Sequence, residues 1–264
     1  MKTINPYRRS AAFLWYRFCW DLNPLSWKSR KKITRIRNIR HGEKCIILCN
    51  GPSLLKTDFH ALMVSGVFTF GLNKINLLFD KTDFRPSAIV AVNSFVLKQN
   101  LKFYNTTSTP LFVDSRASGF GVKDRKNVHF LHSTTIGGVF AEDCSLSVFQ
   151  GHTVTYVAMQ LAFHMGFSEV ALVGADHYFY SKGPPNKIVE SGESDQDHFD
   201  ENYFAGGVKW ELPDLFQSEL AYRIAKHTFE QHGRRVVNCT EGGHLEIFDR
   251  EELPIFLGRE YSRE

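Results

Sequence analysis

Four polar side chains each stand directly after a short apolar segment of the sequence. They are three amides and one carboxylate: Asn50, Asn73, Asn93 and Asp176. Amide side chains can donate to and accept from a base edge or a ribose without adding charge. One asparagine in such a place is commonly turn chemistry. Because the carboxyl ends of parallel strands meet in one crevice, four together favour a shared ligand site there.

The first of these residues lies in a strand–turn–helix pattern. The apolar residues 45–49 are typical of a strand covered on both faces, and Asn50-Gly51-Pro52-Ser53 interrupts them. Gly51 permits a close or left-handed backbone, and Pro52 fits a first helical turn because no donor is needed there. Free N–H groups at such a helix start bind phosphates. The turn is neither a Walker A loop nor a G-x-G-x-x-G fingerprint, so a plain structural turn stays the alternative.

The longest irregular stretch, residues 177–212, holds a histidine among carboxylates. The carboxylates around His198 are Glu190, Glu193, Asp195, Asp197, Asp200 and Glu201. A histidine beside carboxylates can act as a general base near neutral pH, and the aromatic residues at 199–204 would order the loop over the crevice. The alternative is an exposed histidine in a mobile loop. Acid runs are usually solvated and no C-x-x-C motif exists, so we expect no metal site. Ser/His/Asp catalysis lacks its elbow motif.

Strands that alternate with helices must position these residues. The apolar segments that predict strands are 45–49, 66–71, 88–92, 111–113, 128–131, 170–176 and 235–239. Helices are predicted at about 153–165, with Gly166 as the C-cap, and at about 213–231. The predicted fold class is α/β, with a doubly wound, mostly parallel, Rossmann-like sheet. We assign this domain to residues 43–264, with a lid at about 177–212.

The charge of the chain is unevenly distributed. The 264 residues have a formal charge of +4, but residues 1–42 hold eleven cations and one acid, Asp21, which gives this N-terminal helical arm +10 and leaves −6 for the remainder. An aromatic stretch at 11–20, too short to span a bilayer, precedes a basic stretch at 28–37. This pattern fits an interfacial helix on an anionic cytoplasmic leaflet. The alternative is a helix packed on its own domain or on a second subunit. The acidic body argues against nucleic acid as a partner.

Several of these segments carry a resemblance to a known superfamily. The chain resembles the bacterial sialyltransferases of glycosyltransferase family 42 at Cys49-Asn50-Gly51-Pro52-Ser53-Leu54, Asn73-Lys74, Asn93, Thr153-Val154-Thr155 and residues 170–178. These features are shared with the flagellin glycosylation proteins and with the archaeal hydroxymethylpterin diphosphokinase-like proteins. A pattern from Ala225 to Gly243 resembles members encoded near polysaccharide genes. The resemblance covers about residues 43–248.

The resemblance implies nucleotide and donor-sugar contacts along the strand ends. The residues implied for nucleotide, sugar and phosphate are Asn50, Gly51, Ser53, Asn73, Asn93 and Thr153, beside Asp176 at the end of the predicted strand 170–176. Lys74 replaces a glutamine of the family, which adds a phosphate contact or shifts the donor.

The resemblance also implies the catalytic residues. Tyr178 corresponds to a tyrosine that supports the leaving phosphate, and Tyr180 is only a substitute for the family's second lid tyrosine, which has no match at its spacing. His198 corresponds to the catalytic histidine, with His244 as the runner-up.

These expectations combine into an inverting, metal-independent glycosyltransferase. His198 deprotonates an acceptor hydroxyl, which attacks the anomeric carbon of a CMP-activated sugar of nonulosonic acid or Kdo type. Tyr178, Lys74 and backbone amides stabilise the departing phosphate. The CMP-sugar is the donor substrate, and no separate cofactor is expected. The expected acceptor is a surface glycan or a glycolipid, as in capsule or lipopolysaccharide synthesis.

Two other functions stay open at this point. One is an ATP- and magnesium-dependent diphosphokinase of a pterin-type alcohol, with magnesium held by Asp176 and lid acids. The other is a catalytically silent scaffold attached to the membrane through residues 1–42. Five cysteines without regular spacing predict reduced thiols and a cytoplasmic location. The arm at 1–42 adds the expectation of a peripheral position on the inner face of the cytoplasmic membrane. A homo-oligomer is also open.

Overall fold

The computed structural model describes residues 5–259, so the first four residues of the arm and the last five of the predicted domain lie outside the described part. In chain order, helices α1 to α8 are Pro6–Asp21, Pro24–Thr34, Phe59–Ser65, Ser94–Gln99, Leu101–Thr106, Val154–Met165, Leu215–Gln231 and Leu253–Gly258. Strands β1 to β12 are Lys44–Leu48, Phe68–Leu72, Ala88–Ala91, Leu111–Asp114, Val128–Leu131, Ser133–Thr134, Val148–Phe149, Glu169–Val173, Ile188–Glu190, Lys209–Glu211, Arg235–Asn238 and Asp249–Arg250. Short 3₁₀ helices are Pro52–Lys56, Ile75–Asp80 and Ser115–Ser118.

One parallel sheet dominates the fold. Its strand order is β12-β11-β8-β1-β2-β3-β4-β5, and every neighbouring pair is parallel. The chain runs from β1 outward to β5 and then returns to β8 on the other side of β1. The strand order therefore reverses between β1 and β8, which is where open α/β sheets bind ligands. The predicted α/β class with a doubly wound Rossmann-like sheet is confirmed.

Apolar side chains form one buried cluster on each face of this sheet. Cys45 and Ile47 of β1 face one cluster and Ile46 and Leu48 the other, as the alternation of side chains in a strand requires. Helix α6 lies almost wholly buried in the first cluster, which explains its apolar sequence. The helix begins after Thr153, whose side chain accepts a hydrogen bond from a backbone N–H of the first turn. It ends at Met165, because the next residue is a glycine with left-handed backbone.

The arm packs on the body along one side. Trp20 of α1 and Ile33 of α2 are buried in the clusters that cover the sheet. The hydroxyl groups of Tyr16 and Ser115 share a hydrogen bond of 2.6 Å, which joins α1 to the turn after β4. These contacts hold the arm as two ordered helices on the sheet domain.

Among the helices of residues 5–259, none combines the length and the apolar character needed to cross a membrane.

The lid has little regular structure, but it is packed. Its regular part is the antiparallel pair β9–β10. Phe199, Tyr203 and Phe204 are buried in the cluster on the second face of the sheet. The backbone N–H of Phe199 donates to the carbonyl of Asn50 at 2.9 Å, so the lid is attached to the turn after β1.

Candidate active site

A cavity of about 500 Å³ lies at the carboxyl ends of the strands, around the point where the strand order reverses. Of the predicted site residues, those that line it are Asn50, Gly51, Asn73, Asn93, Thr153, Asp176, Tyr178 and His198. The structure places Ser53 and Lys74 behind this wall and leaves Tyr180 and His244 outside the lining. The cavity thus brings strand ends that are far apart in sequence together with several lid residues, among them the predicted His198.

The turn after β1 is held by Asp176. The Ser53 hydroxyl donates to Asp176 Oδ2 at 2.6 Å, and the Ser53 N–H donates to the same oxygen at 3.2 Å. A Cβ at Gly51 would lie 1.9 Å from this oxygen and 2.8 Å from the Gly174 carbonyl, so only glycine fits. Gly51 has a φ of −70°, so the need is for close approach and not for left-handed backbone. Asp176 and Ser53 therefore shape the turn that faces the cavity.

Two of the predicted ligand contacts also cap helices. Asn93 Oδ1 accepts from the N–H groups of Phe95 and Val96, at the start of α4. Thr153 Oγ1 accepts from the N–H of Thr155, at the start of α6. The N-terminus of α6 lines the cavity, and the positive end of a buried helix stabilises an anion.

Asn50 differs from these caps. Its Oδ1 is buried and has no hydrogen-bond partner among residues 5–259. Buried polar groups are nearly always paired, so an unpaired one beside a cavity calls for a partner such as an ordered water or a ligand group. The backbone carbonyl of the same residue is already taken by Phe199.

A histidine from the lid lines the cavity and is paired with a carboxylate of the lid. His198 Nδ1 and Asp195 Oδ2 are 2.8 Å apart, and their side chains are only 12% and 5% exposed. The His198 ring stacks on Tyr203 with 4.0 Å between ring centroids and an angle of 1°. The carboxylate fixes the tautomer with a proton on Nδ1 and leaves Nε2 to accept a proton. No motif points to Asp195, although its spacing of three residues from His198 is a signal for such a pair.

Lys74 supports this pair from behind. Its Nζ donates to the carbonyl of Tyr203 at 2.6 Å and lies 4.8 Å from the ring centre of Phe204. Burial lowers the pKa of Lys74 to about 8. The side chain predicted to contact phosphate is thus engaged with the lid backbone, and it positions the residues on which His198 stacks.

A cation that the sequence patterns did not single out lies in the cavity wall. Arg116, in the turn after β4, bonds the wholly buried carboxylate of Asp114 through Nε at 2.7 Å and Nη2 at 3.2 Å. This two-point contact fixes the guanidinium. Its local sequence does not indicate a site residue, because Arg116 reaches the cavity only through the position of β4 in the sheet.

Left-handed backbone is concentrated at the same cavity. Five non-glycine residues of the described chain have positive φ, and four of them line the cavity: Asn73, His152, His177 and Asn186. Such conformations cost free energy and gather at functional sites. His177 is held by Glu219 through a contact of 3.1 Å between Nε2 and Oε1, which makes it a second histidine–carboxylate pair. Glu219 is 41% exposed, so this pair is more open to solvent than His198–Asp195.

Two other nucleophilic groups at the cavity are inactive as nucleophiles near neutral pH. Burial raises the pKa of the Cys49 thiol to about 12 and the pKa of the Tyr222 hydroxyl to about 12. Both therefore stay protonated, and a thiol must be ionised to attack. All five cysteines are free thiols in the structure.

Comparisons with known proteins give two matches. The sequence profile of a family described as 6-hydroxymethylpterin diphosphokinase MptE-like matches residues 23–182. Among solved structures, the chain is similar to the MAf glycosyltransferase from Magnetospirillum magneticum AMB-1, with a TM-score of 0.49 and 15% sequence identity over 87% of this chain. The match covers 39% of that protein, so this chain spans about two fifths of its length. No curated protein matches this chain in sequence.

Proposed function

The chain belongs to the MptE-like family. We propose that it is a transferase that moves a sugar from a CMP-activated donor to a hydroxyl acceptor. The reaction named in the family description and the proposed reaction follow the same chemical pattern. In both, a hydroxyl oxygen attacks an activated centre, and the nucleotide's phosphate is involved as donor or leaving group. The site must therefore bind a nucleotide, activate a hydroxyl and stabilise negative charge on phosphate.

The observation that carries the proposal is that His198 lines the cavity while its Nδ1 is held by Asp195. In the proposed reaction, Nε2 of His198 takes the proton of the acceptor hydroxyl while Asp195 stabilises the imidazolium that forms. The acceptor oxygen forms a bond to the anomeric carbon as the bond from that carbon to the phosphate oxygen breaks. The electron pair of that bond leaves with CMP, and attack from the opposite side inverts the anomeric centre.

Positive groups around the cavity support the departing phosphate. The N-terminus of α6 and the guanidinium of Arg116 are both on the cavity wall. Tyr178, which is 42% exposed and packs its ring near Tyr180, is placed on the same wall and supplies a hydroxyl donor in this scheme. Lys74 contributes through the lid, since its Nζ is taken by the carbonyl of Tyr203.

Support for CMP as the nucleotide comes from the resemblance of residues 49–54 to the sialyltransferases and from the buried, unpaired Oδ1 of Asn50. A nonulosonic acid or Kdo is the sugar type that CMP carries, so either is the proposed donor sugar. The proposed acceptor is a glycan or glycolipid of the cell surface. In this scheme the enzyme acts in the cytoplasm and uses no resident cofactor.

The family description favours a second candidate, a diphosphokinase that uses ATP and magnesium. The acids named for magnesium fit it poorly. Asp176 accepts from the N–H and hydroxyl of Ser53, and Asp197 accepts from the backbone N–H groups of Tyr180 and Ser181.

Ligand-induced stabilisation separates these candidates. The purified chain is heated with CMP, CDP, UDP or ATP, each with and without magnesium, because a ligand that binds the folded state raises the melting temperature. The proposal expects stabilisation by CMP that magnesium does not change. Stabilisation by ATP only with magnesium would support the diphosphokinase, and no response to any nucleotide would support a scaffold.

The role of His198 is tested by matched histidine variants. We expect His198→Gln to lower transfer from a CMP-sugar by about 10²–10⁴-fold while CMP still stabilises the protein. His177→Gln removes a second histidine of the cavity wall that pairs with a carboxylate, and His152→Gln removes a third, whose Nδ1 lies 3.8 Å from Asp214 Oδ2. His60→Gln, at an exposed position, is the control. A large loss of transfer activity with His177→Gln and none with His198→Gln would identify His177 as the base.

A further inference from the structure

Helix α1 has an exposed apolar stripe on the side that faces away from the body. Its residues recur at helical spacing and have high exposed fractions: Tyr7 84%, Leu14 72%, Trp15 67%, Phe18 54% and Leu22, just past the helix end, 59%. At 100° per residue these positions, with Ala11, fall within about a quarter to a third of the helix circumference. Trp15 and Phe18 also contact each other, with ring centroids 6.0 Å apart. Contiguous apolar surface of this kind marks a binding face.

The opposite side of the same helix is bound to the body. Trp20 is buried, Tyr16 stacks on His132 at 4.8 Å between ring centroids, and Arg17 donates to the carbonyl of Leu146 at 2.5 Å. The stripe is therefore presented by an anchored helix. Its apolar side chains do not turn inward, because the inner face of the helix is already occupied.

Positive charge surrounds the stripe. The arm carries +10, and its single acid, Asp21, is paired with both Arg17 and Arg30. Exposed cations lie on the N-terminal turns of α1, at Arg8 and Arg9, and on α2. Tryptophan, tyrosine and phenylalanine flanked by lysine and arginine suit the interface of an anionic bilayer, where rings enter the headgroup region and cations meet phosphate.

A second copy of this chain suits the stripe less well. A two-fold interface through α1 would place one +10 arm against another, and like charges in contact oppose association.

We propose that α1 docks the protein on an anionic lipid surface, with Tyr7, Leu14, Trp15 and Phe18 in the headgroup region and exposed cations such as Arg8 and Arg9 on lipid phosphates. The same helix contacts Ser115 on its inner side, and the next residue, Arg116, lines the cavity. Docking through α1 therefore places the cavity wall close to the bilayer. The proposal does not depend on which group the cavity transfers.

Vesicle flotation tests the docking. The full chain is mixed with vesicles of phosphatidylcholine alone or with about 30 mol% phosphatidylglycerol, at about 50 and about 500 mM NaCl. We expect flotation with the anionic vesicles at low salt, less at high salt, and at least about tenfold weaker partition into neutral vesicles.

A matched pair of double variants tests the stripe itself. Leu14→Glu with Phe18→Glu adds two negative charges on α1, and Val64→Glu with Ile255→Glu adds the same two charges at positions 74% and 57% exposed elsewhere. All four side chains are exposed, so both proteins should keep the melting temperature of the wild type. We expect the α1 pair to lower partition by at least about tenfold and the control pair to change it by less than about threefold.

Three results would overturn the proposal. One is that the chain does not float with anionic vesicles at low salt. Another is an equal loss in the two double variants, which would attribute binding to net charge and not to the stripe. The third is a dimer, measured by light scattering, that the α1 pair abolishes while the wild type leaves vesicles unbound, because the stripe would then be covered by a second copy.

Discussion

The strand ends and the lid form facing walls of one cavity, but they are built by different means. The strand ends are held by the parallel ladder, and their polar side chains are largely used on local backbone: Asn93 and Thr153 cap helices, and Asp176 holds Ser53. The lid has one short strand pair, and His198 owes its place to a carboxylate and a stacked ring.

Because of this difference, we expect the two walls to have different roles in the site. The strand ends present fixed backbone and helix N-termini, which suit a phosphate-bearing ligand that must bind in one orientation. The lid presents the side chain suited to moving a proton. We therefore expect changes at the strand ends to act on stability and nucleotide affinity, and changes in the lid to act on rate. Substitutions in the two walls test this expectation.

Gly51→Ala should have the largest effect, and it acts at the strand ends. Its Cβ would lie 1.9 Å from Asp176 Oδ2 and 2.8 Å from the Gly174 carbonyl, so the turn must move. Overpacking of this kind costs about 3 kcal/mol, which corresponds to a fall in melting temperature of roughly 6–12 °C. Calorimetry of unfolding and CMP titration would measure both losses.

Gly192→Ala is the matched control in the lid. No atom lies within 4 Å of a Cβ built there, and its backbone is not left-handed. We expect stability and nucleotide affinity to stay within error of the wild type. If both glycine variants lost the same stability, the contrast between a rigid turn and a tolerant lid would be wrong.

Asp195→Asn should reduce the rate with little effect on nucleotide binding. The amide cannot stabilise the imidazolium and can donate to Nδ1, which favours the wrong tautomer of His198. We expect kcat to fall about 100-fold, equal to about 2.7 kcal/mol in the barrier, and the Kd for CMP to change by less than about threefold. A loss of CMP affinity as large as the loss of rate would instead make the lid part of the binding wall.

Lys74→Met tests whether the lid removes the Lys74 ammonium group from water. Burial lowers the pKa of Lys74 from 10.5 to about 8, so between pH 8 and 10.5 the unfolded chain binds more protons at this residue than the folded chain. The wild type should therefore gain stability relative to Lys74→Met as the pH rises through this window, by about 1 kcal/mol after allowance for partial exposure. Denaturant unfolding of both proteins at pH 7, 8, 9 and 10 gives the difference directly. A constant difference would show that the ammonium is not desolvated by the lid.

The strand ends could largely be predicted from sequence because their causes are local. Apolar segments with turn residues after them placed β1 at 45–49 against the observed Lys44–Leu48, and capping signals placed α6 and its end at Gly166. The parallel sheet then brings the strand ends together without further information. The detailed use of Asp176 was beyond such signals, because its bond to Ser53 depends on how closely two distant turns approach.

The lid shows where prediction from sequence ends. The pattern of acids and aromatics indicated His198, but not that Asp195 would hold it or that Lys74 would bond the Tyr203 carbonyl. The strand pair β9–β10 was also not predicted. These contacts join residues up to 129 positions apart and depend on side-chain packing, for which the local sequence has no period or cap. The position of Arg116 at the cavity could not be predicted for the same reason.

Asn93 joins the two regions and gives the smallest expected effect. Its Oδ1 caps α4, and its Nδ2 donates to Glu211 Oε2 of β10 at 3.4 Å. Asn93→Asp keeps the cap, since aspartate caps as well as asparagine, but sets a carboxylate against Glu211. We expect global stability to change by less than about 0.5 kcal/mol, while amide hydrogen exchange at 209–211 becomes faster.

Two further variants decide what such a result means. Asn93→Ala removes both contacts and should cost about 1 kcal/mol through the lost cap. Glu211→Gln added to Asn93→Asp should return exchange at β10 to the wild-type rate, because it removes the repulsion. If exchange in Asn93→Asp matched the wild type from the start, this contact would not hold the lid. The segment around His198 would then be held through Phe199 on Asn50 and Lys74 on Tyr203. The strand β10 would be held through Gln99 Nε2 of α4, which donates to the Lys209 carbonyl at 2.8 Å.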